Sequence, residues 1–393
     1  MKSLVEAAPA DQDKADSVAP SVCFPATAFD AGAAQNNLGF MYAHGHGVEQ
    51  DYVEALKWYG LAAEQGYQPA QVNLGVMYAN GQGVAQDYSQ TLNWYRLAAA
   101  KGSAAAQYAL GLMYANGQGV VQDEAQARQY YLQAAEQAHV QSQFNLGLMF
   151  LKGQGGARDE ALALKWFEAA ADQGNAVAQY SLGVMYDSGT GVVQNQEAAR
   201  GWYLLAAAQG EPFAQVNLAL LYHNGLGVET DYGQALKWYH LAAADSDSHA
   251  QFNIGVMHAN GQGLAQSHTQ AARWFELSAA QGDPVAQHNL GLMYQNGQGV
   301  AQDYLEALKW FRLSAAQGLA PAQVDLGWMY ANGRGTLQDY ERAHMWFNIA
   351  AAAGNPDALN GRELVANQMT PQQMAQAQKM ARDCQQRNFI DLD

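Results

Sequence analysis

Histidine offers the first chemistry to weigh. His44-Gly45-His46 is the tightest pair, spaced so that two imidazoles could share a metal ion. Zinc takes three or four defined ligands. No cysteine or obvious third ligand stands near this pair, so it reads as turn or surface histidine. His258 stands where other copies of the same pattern carry Tyr. It reads as a substituted packing position in need of a hydrogen-bond partner. The G-x-G turns, such as Gly81-Gln82-Gly83, lack the lysine and serine or threonine of a phosphate loop, and no strand precedes them. Neither G-x-S-x-G nor H-E-x-x-H occurs. The carboxylates are dispersed. The expectation is a non-enzyme with no catalytic residue, no metal site and no cofactor.

Binding chemistry is better represented. Asn stands immediately before a Leu or Ile at Asn37, Asn73, Asn145, Asn217, Asn253 and Asn289. Asp325 continues the series, and Ala109 and Ser181 interrupt it. An amide side chain both donates and accepts, so such a ladder could hold an extended peptide by its backbone. The same amides could instead tie neighbouring segments together, since buried amides need partners. Beside the ladder lies a variable position that holds Tyr108, Phe144, Tyr180, Phe252 and His288. These aromatic residues could line a groove or pack between segments, and both readings stay open.

The elements that would position these residues follow from spacing. Leu-Gly recurs from Leu38-Gly39 to Leu326-Gly327 in steps of 36 residues, as Leu218-Ala219 and Ile254-Gly255 at two of the nine positions. The aromatic pair from Trp58-Tyr59 to Trp346-Phe347 keeps the same phase. So do the G-x-G turns from Gly45/Gly47 to Gly333/Gly335. Repeats therefore run from Ala34 to Asp357. In the second copy, Ala70, Leu74, Met77 and Tyr78 recur at helical spacing. Gly75 would let a facing helix approach. Gly81 and Gly83 stop the helix, because glycine enters the left-handed region cheaply. Asp87 then caps a second helix. Asp51, Asp123, Asp159, Asn195, Asp231, Ser267, Asp303 and Asp339 hold the same place. Asp51/Glu54, Asp87/Gln90 and Asp303/Glu306 resemble capping boxes.

One helix pair cannot bury its own apolar face, whereas stacked pairs form a continuous core. The fold class expected is all-α: a right-handed α-solenoid, or superhelix, of nine helix-turn-helix repeats with C-terminal capping helices. Residues 1–33 read as a flexible leader, 34–357 as the repeats and 358–393 as a degenerate helical cap. Within the cap, Leu359 to Ala366 reads as a degenerate first helix. Thr370 then caps a last helix, with Pro371 at its first position.

Bulk properties narrow the partners. The net charge of −16 over 393 residues disfavours phosphate backbones and anionic lipid surfaces. No nucleic acid and no membrane insertion are expected, and no apolar run approaches the ~20 residues of a membrane span. Cys23 and Cys384, one near each end, supply neither a disulfide framework nor a zinc site. The start Met1-Lys2-Ser3-Leu4-Val5-Glu6 lacks the apolar core of a signal peptide. A cytoplasmic location is expected of the sequence as given, and a periplasmic or secreted one if a leader has been removed.

The pattern A-Q-x-N-L-G-x-M-Y-x-N-G-x-G-V-x-Q-D-Y-x-x-A-L-x-W-Y-x-x-A-A-x-Q-G resembles the Sel1-like repeat, a relative of the tetratricopeptide repeat. The ending Met369-Thr370-Pro371-Gln372-Gln373-Met374 resembles the last helix of many bacterial members. The resemblance implies an adaptor that binds a protein or peptide, with the asparagines above as its ligand residues on a concave face. The departures Lys152, Asp187, His223, Leu226, Trp328 and Arg334 would give such a groove its selectivity. Two alternatives are an assembly element that recruits basic partners through its acidic surface and a protein that binds or acts on cell-wall glycans. The family branch with a disulfide in each repeat is not matched, because the cysteines are absent.

Overall fold

The computed structural model describes residues 31–386. The leader expected over residues 1–33 lies outside the described residues up to residue 30, and Ala31–Ala33 open the first helix. Among the described residues every regular element is helical. The first helices of the nine repeats are α1 (Ala31–His44), α3 (Gln68–Asn80), α5 (Ala104–Asn116), α7 (Val140–Lys152), α9 (Ala176–Ser188), α11 (Pro212–Asn224), α13 (Ser248–Asn260), α15 (Pro284–Asn296) and α17 (Ala320–Asn332). The second helices are α2 (Tyr52–Glu64), α4 (Tyr88–Ala100), α6 (Glu124–Ala135), α8 (Glu160–Ala171), α10 (Gln196–Ala208), α12 (Tyr232–Ala244), α14 (His268–Ala280), α16 (Tyr304–Ala316) and α18 (Tyr340–Ala352). Two further helices follow, α19 (Pro356–Ala366) and α20 (Pro371–Gln386).

The helices fall into two compact units. One holds the described residues up to Met185 with Gly189–Val193, and the other holds Tyr186–Ser188 and the described residues from Gln194 onward. In the first unit each helix from α1 to α8 packs on its neighbours in sequence. In the second the same order runs from α10 to α19, and α20 packs on α18.

Local chemistry sets each helix end. Gly81 takes φ +68° and sends its N–H to the Met77 carbonyl, which closes α3 in the left-handed conformation. The second glycine of the same turn, Gly83, has a different duty. It also has positive φ, and a Cβ there would strike the Tyr52 backbone at the start of α2. One glycine thus ends a helix, and the other lets its turn seat on the preceding repeat. Gln86 Nε2 donates to the Ala79 carbonyl at 2.6 Å, which satisfies another acceptor left at the end of α3.

The expected N-cap is present in all nine second helices, with Asp, Asn or Ser accepting from first-turn amides. The reciprocal half of the capping box is absent at Asp51, Asp87 and Asp303. Their own N–H groups donate instead to the carbonyls of Tyr42, Tyr78 and Tyr294 in the first helix. With that amide already used, Glu54 and Glu306 turn to Lys57 and Lys309. A true capping box forms only where no first helix competes. At α20, Thr370 N–H donates to Gln373 Oε1 at 2.9 Å, and Gln373 N–H donates to Thr370 Oγ1 at 3.3 Å.

The Leu-Gly dipeptide marks the centre of each pair. Leu74 and Met77 are buried with Ala55, Tyr59, Ala62 and Ala70. A Cβ on Gly75 would fall 2.5 Å from the Tyr95 ring. The missing side chain therefore admits the second aromatic of the following helix, as the spacing implied. The first helix after the repeats opens at Pro356, three residues before the expected Leu359, because Asn355 caps it.

Candidate functional site

Each first helix leaves one stripe partly exposed, at the positions of Asn73 and Val76, both half-buried, and Asn80 in α3. The corresponding stripe reads Asn217, Leu220, Asn224 in α11, then Asn253, Val256, Asn260 in α13. It continues as Asn289, Leu292, Asn296 in α15 and Asp325, Trp328, Asn332 in α17. Four consecutive repeats of the second unit therefore display amide or carboxylate, apolar, amide. The last Asn of each stripe is exposed. Sequence reasoning passed over it because it precedes the left-handed glycine and reads as part of the helix stop.

The six ladder asparagines do not share one environment. Asn73 Nδ2 donates to Asn36 Oδ1 of the preceding repeat at 2.9 Å. Asn145 is hydrogen-bonded to the hydroxyls of Tyr108 and Tyr131 in the preceding repeat. Burial pushes both hydroxyls above their ordinary range, and the Asn145 bond opposes that shift. In the same register His288 Nε2 meets Asp325 Oδ2 at 2.6 Å. These three are ties between repeats. Asn253 and Asn289 instead donate to their own helix, to the carbonyls of His249 and Val285, each at 2.8 Å. Their side-chain oxygens accept nothing among the described residues. Asn37 is exposed and Asn217 half-buried, and neither amide is hydrogen-bonded within the described residues.

The variable aromatics are all half-buried. Tyr108 lies 5.9 Å from the Tyr131 ring, Phe144 lies 5.8 Å from Phe167, and Phe252 lies 5.6 Å from Phe275. Each packs on the second aromatic of its own repeat and lends one edge to the open surface. Tyr180 keeps the same register in α9. Tyr131 is matched by Asn145, whereas the Tyr95 and Tyr239 hydroxyls are buried without a partner. Ala109 stands in the ladder position after Tyr95, and after Tyr239 Asn253 donates to its own helix instead.

A second amide series, unremarked in the sequence reading, is structural. Gln71 is buried, and its Nε2 donates to the Ala63 carbonyl at 3.2 Å, at the end of the preceding second helix. Gln143, Gln287 and Gln323 repeat this bond to Ala135, Ala279 and Ala315. Gln173, Gln281 and Gln317 then donate to the oxygens of Gln143, Gln251 and Gln287. The signal was a Gln beside Ala in the buried register, where an unpaired amide would be costly.

His44 and His46 have ring centroids 5.7 Å apart, and His44 Nδ1 contacts the Phe40 carbonyl at 3.0 Å. Among the described residues no group of three His, Cys, Asp or Glu could hold a metal ion. His258 has no partner for its buried Nδ1, so the hydrogen bond expected there is missing. Burial lowers its pKa, and the nearby His240 adds to that. Cys384 is buried and free, with its thiol pushed up by burial.

The Sel1 repeat family matches nine times without a gap, over residues 32–67, 68–103, 104–139, 140–175, 176–211, 212–247, 248–283, 284–319 and 320–355. The chain belongs to the Sel1 repeat family. It is therefore an all-α solenoid of Sel1 repeats, as the spacing led us to expect. Among solved structures, a Sel1 repeat protein from Oxalobacter formigenes is 31% identical, with a TM-score of 0.65 over 89% of this chain and 98% of that one. The protective antigen c5321 of uropathogenic Escherichia coli, described as having an SLR fold, is also 31% identical, with a TM-score of 0.53 over 91% and 93%. No curated protein matches the chain. Sel1 repeat proteins generally act as protein-binding scaffolds without catalysis. No helix among the described residues is long and apolar enough to cross a membrane.

Proposed function

We propose that this Sel1 repeat protein is a non-catalytic adaptor that holds an extended segment of a partner protein on its first-helix face, the face expected to be concave. The observation that carries this reading is the uncharged amide, apolar, amide stripe repeated over α11, α13 and α15. Asn217, Asn253 and Asn289 have side-chain oxygens with no acceptor role among the described residues. An amide that needs no internal partner can exchange hydrogen bonds with a peptide backbone at no cost to the fold. The apolar residues between the amides supply area that such a segment could cover. Asn37 offers the same chemistry in the first unit. Asn73 and Asn145 are committed to neighbouring repeats and take a supporting role. Tyr108, Phe144, Tyr180 and Phe252 serve as walls beside the ladder.

The test is affinity capture by the full chain at low and high salt, with the triple variant Asn217→Ala/Asn253→Ala/Asn289→Ala beside it. A partner held at high salt and lost at least tenfold by the triple variant is expected. Equal capture by both chains would remove the ladder from the site. The net charge of −16 favours one other reading, recruitment of a basic partner by the acidic surface. That reading requires a partner seen only at low salt, because exposed charges are screened over about 8 Å at physiological ionic strength.

A further inference from the structure

The second helices carry an apolar row of their own. Leu205, Leu241, Leu277 and Leu313 occupy one register in α10, α12, α14 and α16, and each is exposed, by 50%, 43%, 50% and 45%. Single exposed leucines are ordinary. A row repeated over four successive second helices of one unit is more than scatter and marks a candidate docking surface.

The ninth repeat shows what covers this register. There the position holds Ile349, which is only 3% exposed. One turn earlier Met345 is buried, where Lys237, Arg273 and Lys309 are exposed in the three repeats before it. The following first helix does not explain the difference. α19 packs on α18 as α17 packs on α16, yet Leu313 stays open. The added element is α20, which lies on α18. Its buried residues Ala377, Ala381 and Cys384, with half-buried Met374, form a stripe at helical spacing. Ala381 and Cys384 share one core cluster with Met345 and Ile349. The chain has thus solved the covering of this face once, with an amphipathic helix whose inner stripe is short.

We propose that the second-helix face from α10 to α16 docks an amphipathic helix of a partner protein, with a short apolar inner stripe and acidic flanks. The same register runs on into the α18–α20 interface at Ile349, so a helix can cover the leucines in the way α20 covers Ile349. The flank chemistry follows from charge. Lys237, Arg273 and Lys309 stand one turn before the leucines, and among the described residues Lys237 and Arg273 have no ion pair. Lys309 is ion-paired with Glu306 at 3.1 Å, and Lys237 and Lys309 each lie over the ring of the next residue, Trp238 and Trp310. This is a basic edge on a chain of net charge −16. The proposal uses a different face from the peptide site above and does not depend on it.

The probe is a labelled synthetic peptide with the sequence of residues 370–386 carrying Lys379→Glu and Arg382→Glu, titrated with the full chain by fluorescence anisotropy. Saturable binding is expected, weakened at least tenfold by Leu241→Lys/Leu277→Lys. The same loss is expected from Leu205→Lys/Leu313→Lys. All four leucines are exposed, so both variants should keep the wild-type circular dichroism and melting temperature. Absence of saturable binding, or binding unchanged by both variants, would overturn the proposal. So would a wild-type dimer that the substitutions dissolve in sedimentation, because the face would then belong to a second copy of this chain.

Discussion

Asn145 and Asn253 hold the same place in the repeat and do different work. Asn145 serves the buried Tyr131 hydroxyl and the half-buried Tyr108 hydroxyl of the preceding repeat, whereas Asn253 bonds only to its own helix. Asn145→Ala is expected to cost about 2 kcal/mol, since it strands the buried Tyr131 hydroxyl. Asn253→Ala is expected to change stability by less than about 0.5 kcal/mol. Urea denaturation of the two variants checks the contrast, and equal losses would mean that Asn253 is also a structural tie. The His288–Asp325 pair belongs to this scale too. Asp325→Ala should cost about 2 kcal/mol, because the contact is half-buried and its acceptor is a carboxylate. Double-mutant cycles with His288→Ala would show whether that energy resides in the pair.

Turns carry the information at the scale of elements. Gly83 and Gly102 both have positive φ, but their surroundings differ. A Cβ on Gly102 meets nothing, whereas one on Gly83 meets the start of α2. Gly102→Ala should therefore cost about 1 kcal/mol, the price of a left-handed alanine. Gly83→Ala should cost about 3 kcal/mol, because the inter-repeat contact must also shift. Thermal melts of the two variants separate a helix stop from a docking surface. The same comparison explains why both glycines recur in nearly every copy. It also explains the missing capping boxes: an amide taken by the first helix cannot also serve Glu54 or Glu306.

One buried and three half-buried histidines link the whole molecule to pH. His139 in the first unit, and His223, His258 and His344 in the second, all have pKa values lowered from 6.5, chiefly by burial. The charge of Arg362 lowers that of His344 further. The folded state disfavours the charged form of these rings, while the unfolded chain protonates them near 6.5. Stability should therefore be flat above about pH 7 and fall as the pH drops below about 6.5, where the unfolded state binds more protons. Melting temperatures between pH 7.5 and 5.5 test this, and a constant value across that range would exclude it. The exposed leucines of α10 to α16 are also a property of this scale, since only their repetition makes a surface.

The repeat period, the helix ends and the core register were legible in the amino-acid sequence, because each depends on residues within one turn of the chain. A left-handed glycine, an Asp that accepts from its own first-turn amides, and Leu, Met and Ala at helical spacing act locally, and nine copies average out the exceptions. The fate of the ladder asparagines was not legible. Asn73 and Asn145 find their partners in the preceding repeat, and those partners sit at the most variable position of the pattern. Whether an amide is a tie or a free ligand group depends on what its neighbour can offer: a hydroxyl at Tyr108, an amide at Asn36, and no acceptor at all from Phe252 to Asn289. The place of α20 was equally hidden. Its cap, Thr370, its Pro371 and its amphipathic stripe could be read in one dimension, but its packing on α18 depends on which face the ninth repeat leaves apolar. Met345 in place of lysine marks that face, and only the tertiary structure shows the contact that gives the substitution its meaning.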